Sequence, residues 1–477
     1  MSRVIKIDPV TRVEGHGRVT IHLDDAGHVA DARFHVVEFR GFEKFCEGRH
    51  FSEMPTLTER ICGICPVSHH LASAKAVDAI CGVQPTPTAR MLRELMHMGQ
   101  MIQSHALSFF HLSSPDLLLG FDSDPATRNV FGLIAANPEL ARKGIRLRKY
   151  GQQIIAAVGG RKIHPDVCVP GGMNRALDPE DRGALLAGVE EALATTRLGI
   201  RVILDYYAKN EKFVRTFASF PSNYMSLVTP EGNLEHYDGL LRMIGPDGTR
   251  LEDFYDPASY LSFIAEATED WSYLKFPFYR PQGYPDGSYR VGPLARLNAC
   301  DAAGTPEAQK ELDKFRKLGG GKPVEGSLYY HYARLIEVLF GIERVQQLLN
   351  HPDICGQELI AESTQILPEG VGVIEAPRGT LFHHYMVDEG GAIERVNLIV
   401  ASGQNNAAMN RAVTAVAKQY VKVNGKGLQE GMLNKVEAAI RCYDPCLSCS
   451  THAVGQMPLV VEMFDCEGQL LDRLERD

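Results

Sequence analysis

Two short cysteine motifs carry the clearest chemistry in this sequence. The first is Arg60-Ile61-Cys62-Gly63-Ile64-Cys65-Pro66. The second, near the opposite end of the chain, is Asp444-Pro445-Cys446-Leu447-Ser448-Cys449. Two intervening residues bring both sulfurs of a pair to one side of a turn, so each pair can offer two thiolates to one centre. Together the pairs make a four-thiolate site. A histidine follows each, His69 after Cys65 and His452 after Cys449. Soft thiolates select zinc, iron–sulfur clusters or another thiophilic transition metal. A zinc ribbon usually keeps its two knuckles close in sequence, so the long gap counts against it. A thioredoxin-like redox pair needs a single motif in a βαβ setting, which neither motif has. A shared metal centre leads, with zinc and disulfide redox chemistry as the alternatives.

Other polar residues stand in unusual company. Glu14 lies in Arg12-Val13-Glu14-Gly15-His16-Gly17, Glu43 in Arg40-Gly41-Phe42-Glu43, and Arg378 in Glu375-Ala376-Pro377-Arg378-Gly379. Singly, each reads as a solvated or salt-bridged side chain. Together they read as one site assembled from scattered segments.

The elements that must position these residues are mostly helical. Met91, Leu95, Met98, Ile102, Ala106 and Phe109 recur at spacings of three and four, the period of a helix face. Similar patterns run from Leu185 to Tyr207, from Leu328 to Leu349, and over about 406–421. Asp178 and Pro179 supply an N-cap and a first helical residue for the second of these. The Met and aromatic residues in these stripes read as core packing. Residues 1–40 read as β, with a turn at Asp25-Ala26-Gly27. Residues 220–325, where Pro and Gly recur closely, read as loop-rich, either an insertion or a second layer. The expected fold is α+β and predominantly α, a long-helix bundle core with a small N-terminal β region.

Composition narrows the function. The chain has 477 residues, of which 44% are hydrophobic and 23% charged, the mix of an ordinary globular protein. A net charge of −9 argues against a nucleic-acid binder. The sequence holds no apolar run of membrane-span length, and no secretory signal opens the chain. Eleven cysteines are too few for a disulfide scaffold of this size.

The two cysteine motifs with their flanks resemble those of the large, catalytic subunit of a nickel–iron hydrogenase. The resemblance runs over residues 9–452 and is most specific at 60–69 and 444–452. Length and the Gly403-Gln404-Asn405-Asn406 stretch most resemble the cytoplasmic NAD-reducing type. It implies one catalytic domain over 1–452 that reversibly cleaves H2 into protons and electrons. It also implies a nickel–iron centre, with Cys62 and Cys446 as terminal nickel ligands and Cys65 and Cys449 bridging nickel to iron. The iron would carry carbon monoxide and cyanide. Cys446 would take the proton first and Glu14 next. Pro377, Arg378, Asp116 and Asp444 would crowd the open side of the metals, with Arg378 pairing to Asp116 or Asp444. Ser402 would donate a hydrogen bond to a cyanide, and His69 would lie near the metals without binding them. Glu43, His452 and the Leu398 carbonyl would hold magnesium or another divalent ion. Cys46, three residues after Glu43, would lie close to that site.

The resemblance also implies partners. An iron–sulfur small subunit is required, with flavin and iron–sulfur diaphorase subunits in the NAD-reducing type. Nickel-insertion proteins and a maturation protease belong to the same expectation, the protease removing residues 453–477 after His452. The attached tail is expected to hold the 444–452 segment off the metals. Three rivals stand beside this reading: a hydrogenase subunit serving another cytosolic carrier, a respiratory quinone-site subunit, and a zinc-stabilised scaffold without catalysis. The quinone-site family lacks both cysteine pairs, and both are present here.

Overall fold

Four long helices pack around one another: Pro87–Leu107, Pro138–Gly159, Pro179–Lys209 and Tyr329–Leu349. Three of them are helices the sequence pattern marks; Pro138–Gly159 was not foreseen, and the fourth expected pattern forms the separate helix Asn406–Tyr420. The third begins as the sequence suggests, with the Asp178 carboxylate accepting from the Glu180 N–H at 2.8 Å and Pro179 at the first helical position. The first two approach closely enough to need glycine. A Cβ added to Gly151 would stand 2.6 Å from the backbone of Gly99 and Gln103. Beyond Leu107 the helix widens into π turns over Ser108–Ser113 and Pro115–Leu119, a distortion that often marks a functional region. The computed structural model describes residues 3–422, 428–452, 459–464 and 470–476.

The N-terminal strands Arg3–Ile7, Gly17–Leu23 and Val29–Val36 form an antiparallel sheet in chain order, as expected. β structure also appears where it was not expected. Residues 220–325 are not mainly loop. They hold a four-stranded sheet in the order 289–290, 223–228, 240–244, 250–255, a further strand pair, and two helices. A third sheet, Glu369–Ala376, Gly379–Val387 and Ile393–Ile399, was not foreseen at all. Both misses have one cause. Asn223–Val228 is buried at every position, and Gly379–Val387 at all but one. A strand covered on both faces shows no period-2 alternation to read.

Two shorter helices complete the frame of the site. Pro66–Ile80 starts directly after Cys65, and Glu430–Tyr443 ends directly before Asp444. Asp444 has φ of 51°, a left-handed turn that sends the chain back towards the first cysteine pair. A hydrophobic cluster of the core runs through the chain from Ile7 to Cys449. The tail strands Leu459–Phe464 and Leu470–Arg476 pair with each other. Among the described residues no helix is long and apolar enough to cross a membrane.

Candidate metal centre

Folding brings the two cysteine pairs together. Cys62 Sγ lies 3.1 Å from Cys446 Sγ, Cys65 Sγ 3.4 Å from Cys449 Sγ, and Cys446 Sγ 2.9 Å from Cys449 Sγ. All four ligand atoms fall within 4.8 Å of one another and all four residues are buried. Each pair is shaped by the start of a short structural unit. Cys62 Sγ accepts the N–H groups of Ile64 and Cys65 at 3.2 and 3.3 Å, closing the first turn before Pro66 opens its helix. The Cys446 N–H donates to Ser402 Oγ at 2.8 Å, and a one-turn helix Leu447–Ser450 follows.

Four thiolates this close repel strongly, and a buried cluster of that charge needs a compensating cation. Among the described residues one guanidinium, Arg378, lines a cavity with Cys65, Cys446 and Cys449. Burial opposes its charge, but Asp444 and the sulfurs hold its pKa above the usual arginine range. Ionised together, the four sulfurs would carry more negative charge than the single guanidinium balances. The donor set is soft, dense and dry, and it fits a thiophilic metal centre.

Some of the expected neighbours stand at this cluster and others do not. Arg378 occupies the tip of a two-residue hairpin between Glu369–Ala376 and Gly379–Val387. Its Nη2 lies 3.1 Å from Asp444 Oδ2, its Nε donates to the Asp444 carbonyl, and its Nη1 reaches Ser104 Oγ at 3.3 Å. Of the two candidate partners, then, Asp444 is the one it meets. Pro377, Arg378, Ser402 and His69 line a small cavity with Cys65, Cys446 and Cys449. Ser402 Oγ accepts from the Cys446 amide, and its hydroxyl keeps the capacity to donate one hydrogen bond.

Asp116 lies elsewhere. It pairs with Arg12 at 2.5 Å, Arg441 at 3.0 Å and Arg128 at 3.6 Å, and accepts from Asn434 at 3.0 Å. Burial pushes its pKa up, but the arginines around it win and bring it below the usual aspartate range. The bundle helix offers Ser104, not Asp116, to Arg378. Asp116 lies within the second π turn and meets Asn434 and Arg441 of the 430–443 helix. Its partners are these arginines and Asn434 rather than Arg378.

Glu14 is placed by backbone pairing. Glu14 and Cys446 form a parallel β-bridge, with the Leu447 N–H donating to the Glu14 carbonyl at 3.1 Å. Gly15 permits this approach: its φ is +83°, and a Cβ there would lie 2.7 Å from Leu447 Cβ. The Glu14 carboxylate accepts from the Ser448 N–H at 3.1 Å and from the Ser448 hydroxyl.

Glu43, Leu398 and His452 also converge. Glu43 Oε1 accepts the Leu398 N–H at 2.7 Å and lies 3.0 Å from His452 Nδ1. Burial raises the Glu43 pKa, and the contacts with His452 and Leu398 lower it below its ordinary value. The His452 carbonyl accepts from the Glu43 N–H, and the Thr451 carbonyl accepts from Arg40 and Gly41. The end of the 444–452 segment is thus tied to residues 40–43. Residues 453–458, directly after His452, lie outside the described residues.

Sequence reasoning missed a run of polar groups behind Cys449. His69 Nε2 lies 3.2 Å from Cys449 Sγ, and His69 Nδ1 lies 3.1 Å from His383 Nε2. His383 Nδ1 continues to the Tyr385 hydroxyl at 2.6 Å, and that hydroxyl to Ser73 Oγ at 2.8 Å. Burial lowers the His69 pKa to about 4, so the ring is neutral at pH 7. His69 and Ser73 share a helix face at i, i+4, which the sequence did display. His383 and Tyr385 sit on the unforeseen sheet.

Comparison with known proteins agrees with this geometry. The model of the nickel-dependent hydrogenase family matches residues 40–120 and 246–452, and one described as HoxL-like matches residues 4–39. The NAD-reducing hydrogenase HoxS subunit beta of Cupriavidus necator is 47% identical over 100% of both chains. A vhc-type F420-non-reducing hydrogenase subunit from Methanococcus voltae is 44% identical over 97% of this chain and 98% of its own. A solved NAD+-reducing NiFe hydrogenase in the H2-reduced state superposes with a TM-score of 0.92 at 49% identity, covering 94% of this chain and 99% of that one. A buried cluster of four cysteines, a family match that runs to His452 and likeness along the whole chain lead to one conclusion: this chain belongs to the nickel-dependent hydrogenase family.

Proposed function

We propose that this chain is the catalytic subunit of a NAD-reducing hydrogenase, with residues 1–452 as one catalytic unit. The observation that carries the reading is the cluster of four buried sulfurs with Glu14 bridged to the backbone of Cys446. Cys62, Cys65, Cys446 and Cys449 would hold the nickel–iron centre, Cys62 and Cys446 on nickel alone and Cys65 and Cys449 shared with an iron that would carry carbon monoxide and cyanide. When bound, this pair supplies the electron-poor centre at which H2 splits heterolytically.

The chain's own residues supply the rest. Cys446 takes the proton, and Glu14, held by Ser448, receives it and starts it outward. His69 supports Cys449. Arg378, fixed by Asp444, offsets the negative charge of the cavity. Ser402, which lines the cavity, would donate its hydroxyl to a cyanide nitrogen when the centre is bound. Glu43, His452 and the Leu398 backbone form the seat of a magnesium or similar divalent ion.

All four paired cysteines are committed to the centre, so electrons leave through an iron–sulfur partner and then flavin-bearing diaphorase subunits. The reading places the complex in the cytoplasm and takes residues 453–477 as a maturation tail; the family match ends at His452. The 44% identity to an F420-non-reducing hydrogenase subunit supports a second reading, with a carrier other than NAD.

The test is an infrared spectrum of the complex trimmed at His452, followed by H2-dependent reduction of NAD. One carbonyl and two cyanide bands with NAD reduction are expected. A blank window in the trimmed complex would overturn the reading, and bands without NAD reduction would leave the other carrier.

A further inference from the structure

Behind the Arg378 hairpin lies a wholly buried charge network that the mechanism above does not use. Its centre is Arg296, on the helix Pro293–Ala299. The guanidinium makes five hydrogen bonds. Nε and Nη2 meet the two oxygens of Glu337 at 2.6 and 2.7 Å. Nη1 meets Glu375 at 2.7 Å and the Ala376 carbonyl at 2.9 Å, and Nη2 also meets the Pro377 carbonyl at 3.1 Å. Both carboxylates and the guanidinium are 0% exposed. Five is the full donor capacity of an arginine, and an ammonium has three.

The acceptors are informative. Ala376 and Pro377 immediately precede Arg378, the cation at the cysteine cluster. The Arg378 carbonyl is held as well, by Asn405 Nδ2 at 3.3 Å. Three successive carbonyls of the hairpin tip are therefore fixed from behind. Glu337 extends the grip to the opposite wall. It accepts from His105 at 2.8 Å, and His105 adjoins Ser104, which touches the Arg378 guanidinium. One buried arginine thus ties together the backbone of the Arg378 hairpin and the helix that meets its side chain.

We propose that Arg296 is a positioning residue for hydrogen cleavage, setting where Pro377 and Arg378 stand relative to the four cysteines; this rests on the hydrogenase reading. Arg296 touches no reacting atom. Its effect passes through the hairpin tip. An arginine serving the fold alone is available for comparison. Arg93 is equally buried and binds Asp78 and the Val169 and Gly172 carbonyls, away from the cavity.

The experiment compares Arg296→Lys, Glu375→Gln and Arg93→Lys in the complete trimmed complex. It reads nickel content, melting temperature, the carbonyl and cyanide band positions, and turnover per nickel. Arg296→Lys is expected to move the bands beyond the wild-type linewidth and to lower turnover per nickel roughly tenfold or more. Arg93→Lys is expected to lower the melting temperature and leave the bands in place. The proposal is overturned if the Arg296→Lys bands coincide with wild type and turnover per nickel stays within about twofold, or if Arg93→Lys moves the bands equally. Should Arg296→Lys not fold or load, Glu375→Gln decides by the same two criteria. It keeps the side-chain volume but puts an amide NH2 among the donors of Arg296, Leu227 and Thr380. A wild-type complex without the bands would remove the hydrogenase reading and this proposal with it.

Discussion

Glu14 and Asp444 flank the same cysteine, yet they stand in opposite surroundings. Asp444 is 5% exposed and ion-paired to Arg378. Burial raises its pKa, with Arg378 and Arg334 pulling the other way. Glu14 is half-buried, and Ser448 meets it with two neutral donors. A carboxylate tied to a guanidinium must break an ion pair to take a proton. One held by an amide and a hydroxyl exchanges a proton while keeping its place. The difference teaches a division of labour around one cluster of sulfurs. On the proposed mechanism the Arg378 wall fixes charge and shape, and the Glu14 wall opens a way out for protons.

Removing what both walls share gives the largest effect. Cys446→Ser replaces a soft ligand by a hard one. Nickel content and turnover should both fall to background, measured by metal analysis and H2 uptake. A variant that keeps its nickel would break the assignment of Cys446.

Glu14→Gln tests the open wall. It keeps the shape and loses the proton acceptor, so turnover should fall by about 10²–10⁴, the usual weight of a positioned acid or base. The infrared bands should stay where they are, because the metal surroundings are intact. Shifted bands would move Glu14 to the fixing side of the comparison.

Arg378→Lys tests the fixed wall. Lysine keeps the charge but cannot make the forked contact with Asp444. Turnover should fall by about 10- to 100-fold, with shifted bands and a normal nickel content. Unchanged bands would show that the forked geometry has no bearing on the cavity.

Asp116→Asn should have the smallest effect on turnover and act mainly on stability. It leaves Arg12, Arg128 and Arg441 without their shared buried carboxylate, a loss on the order of 3–5 kcal/mol. The sign with pH follows from its depressed pKa. The contribution of Asp116 is complete above the ordinary aspartate pKa, about 3.9, and is lost as pH falls through the lower folded value. Wild type and variant should therefore differ most in melting temperature near neutrality and converge in acid.

What could be read beforehand follows a physical pattern. The cysteine motifs, Glu14 and Glu43 are short local signals whose residue types announce their chemistry. The Pro179–Lys209 helix was legible because it has one dry face and one wet face, and that difference prints a 3.6-residue period on the sequence. The Gly379–Val387 strand, buried almost throughout, prints none, and His383, Tyr385 and the Arg378 hairpin were set on it unseen. Arg296 was invisible for a related reason. A buried arginine has the same letter as a solvated one, and only its five acceptors, drawn from 337 and 375–377, distinguish it.

The sequence by itself determined the ligand chemistry, the helical frame and the resemblance to nickel–iron hydrogenases, because ligand type and helix period are local properties of the chain. Only the tertiary structure decided that Arg378 meets Asp444 and Ser104, that Asp116 belongs to another arginine cluster, and that Arg296 grips the hairpin from behind. Charges choose partners by distance and burial, and neither quantity exists until distant segments have packed.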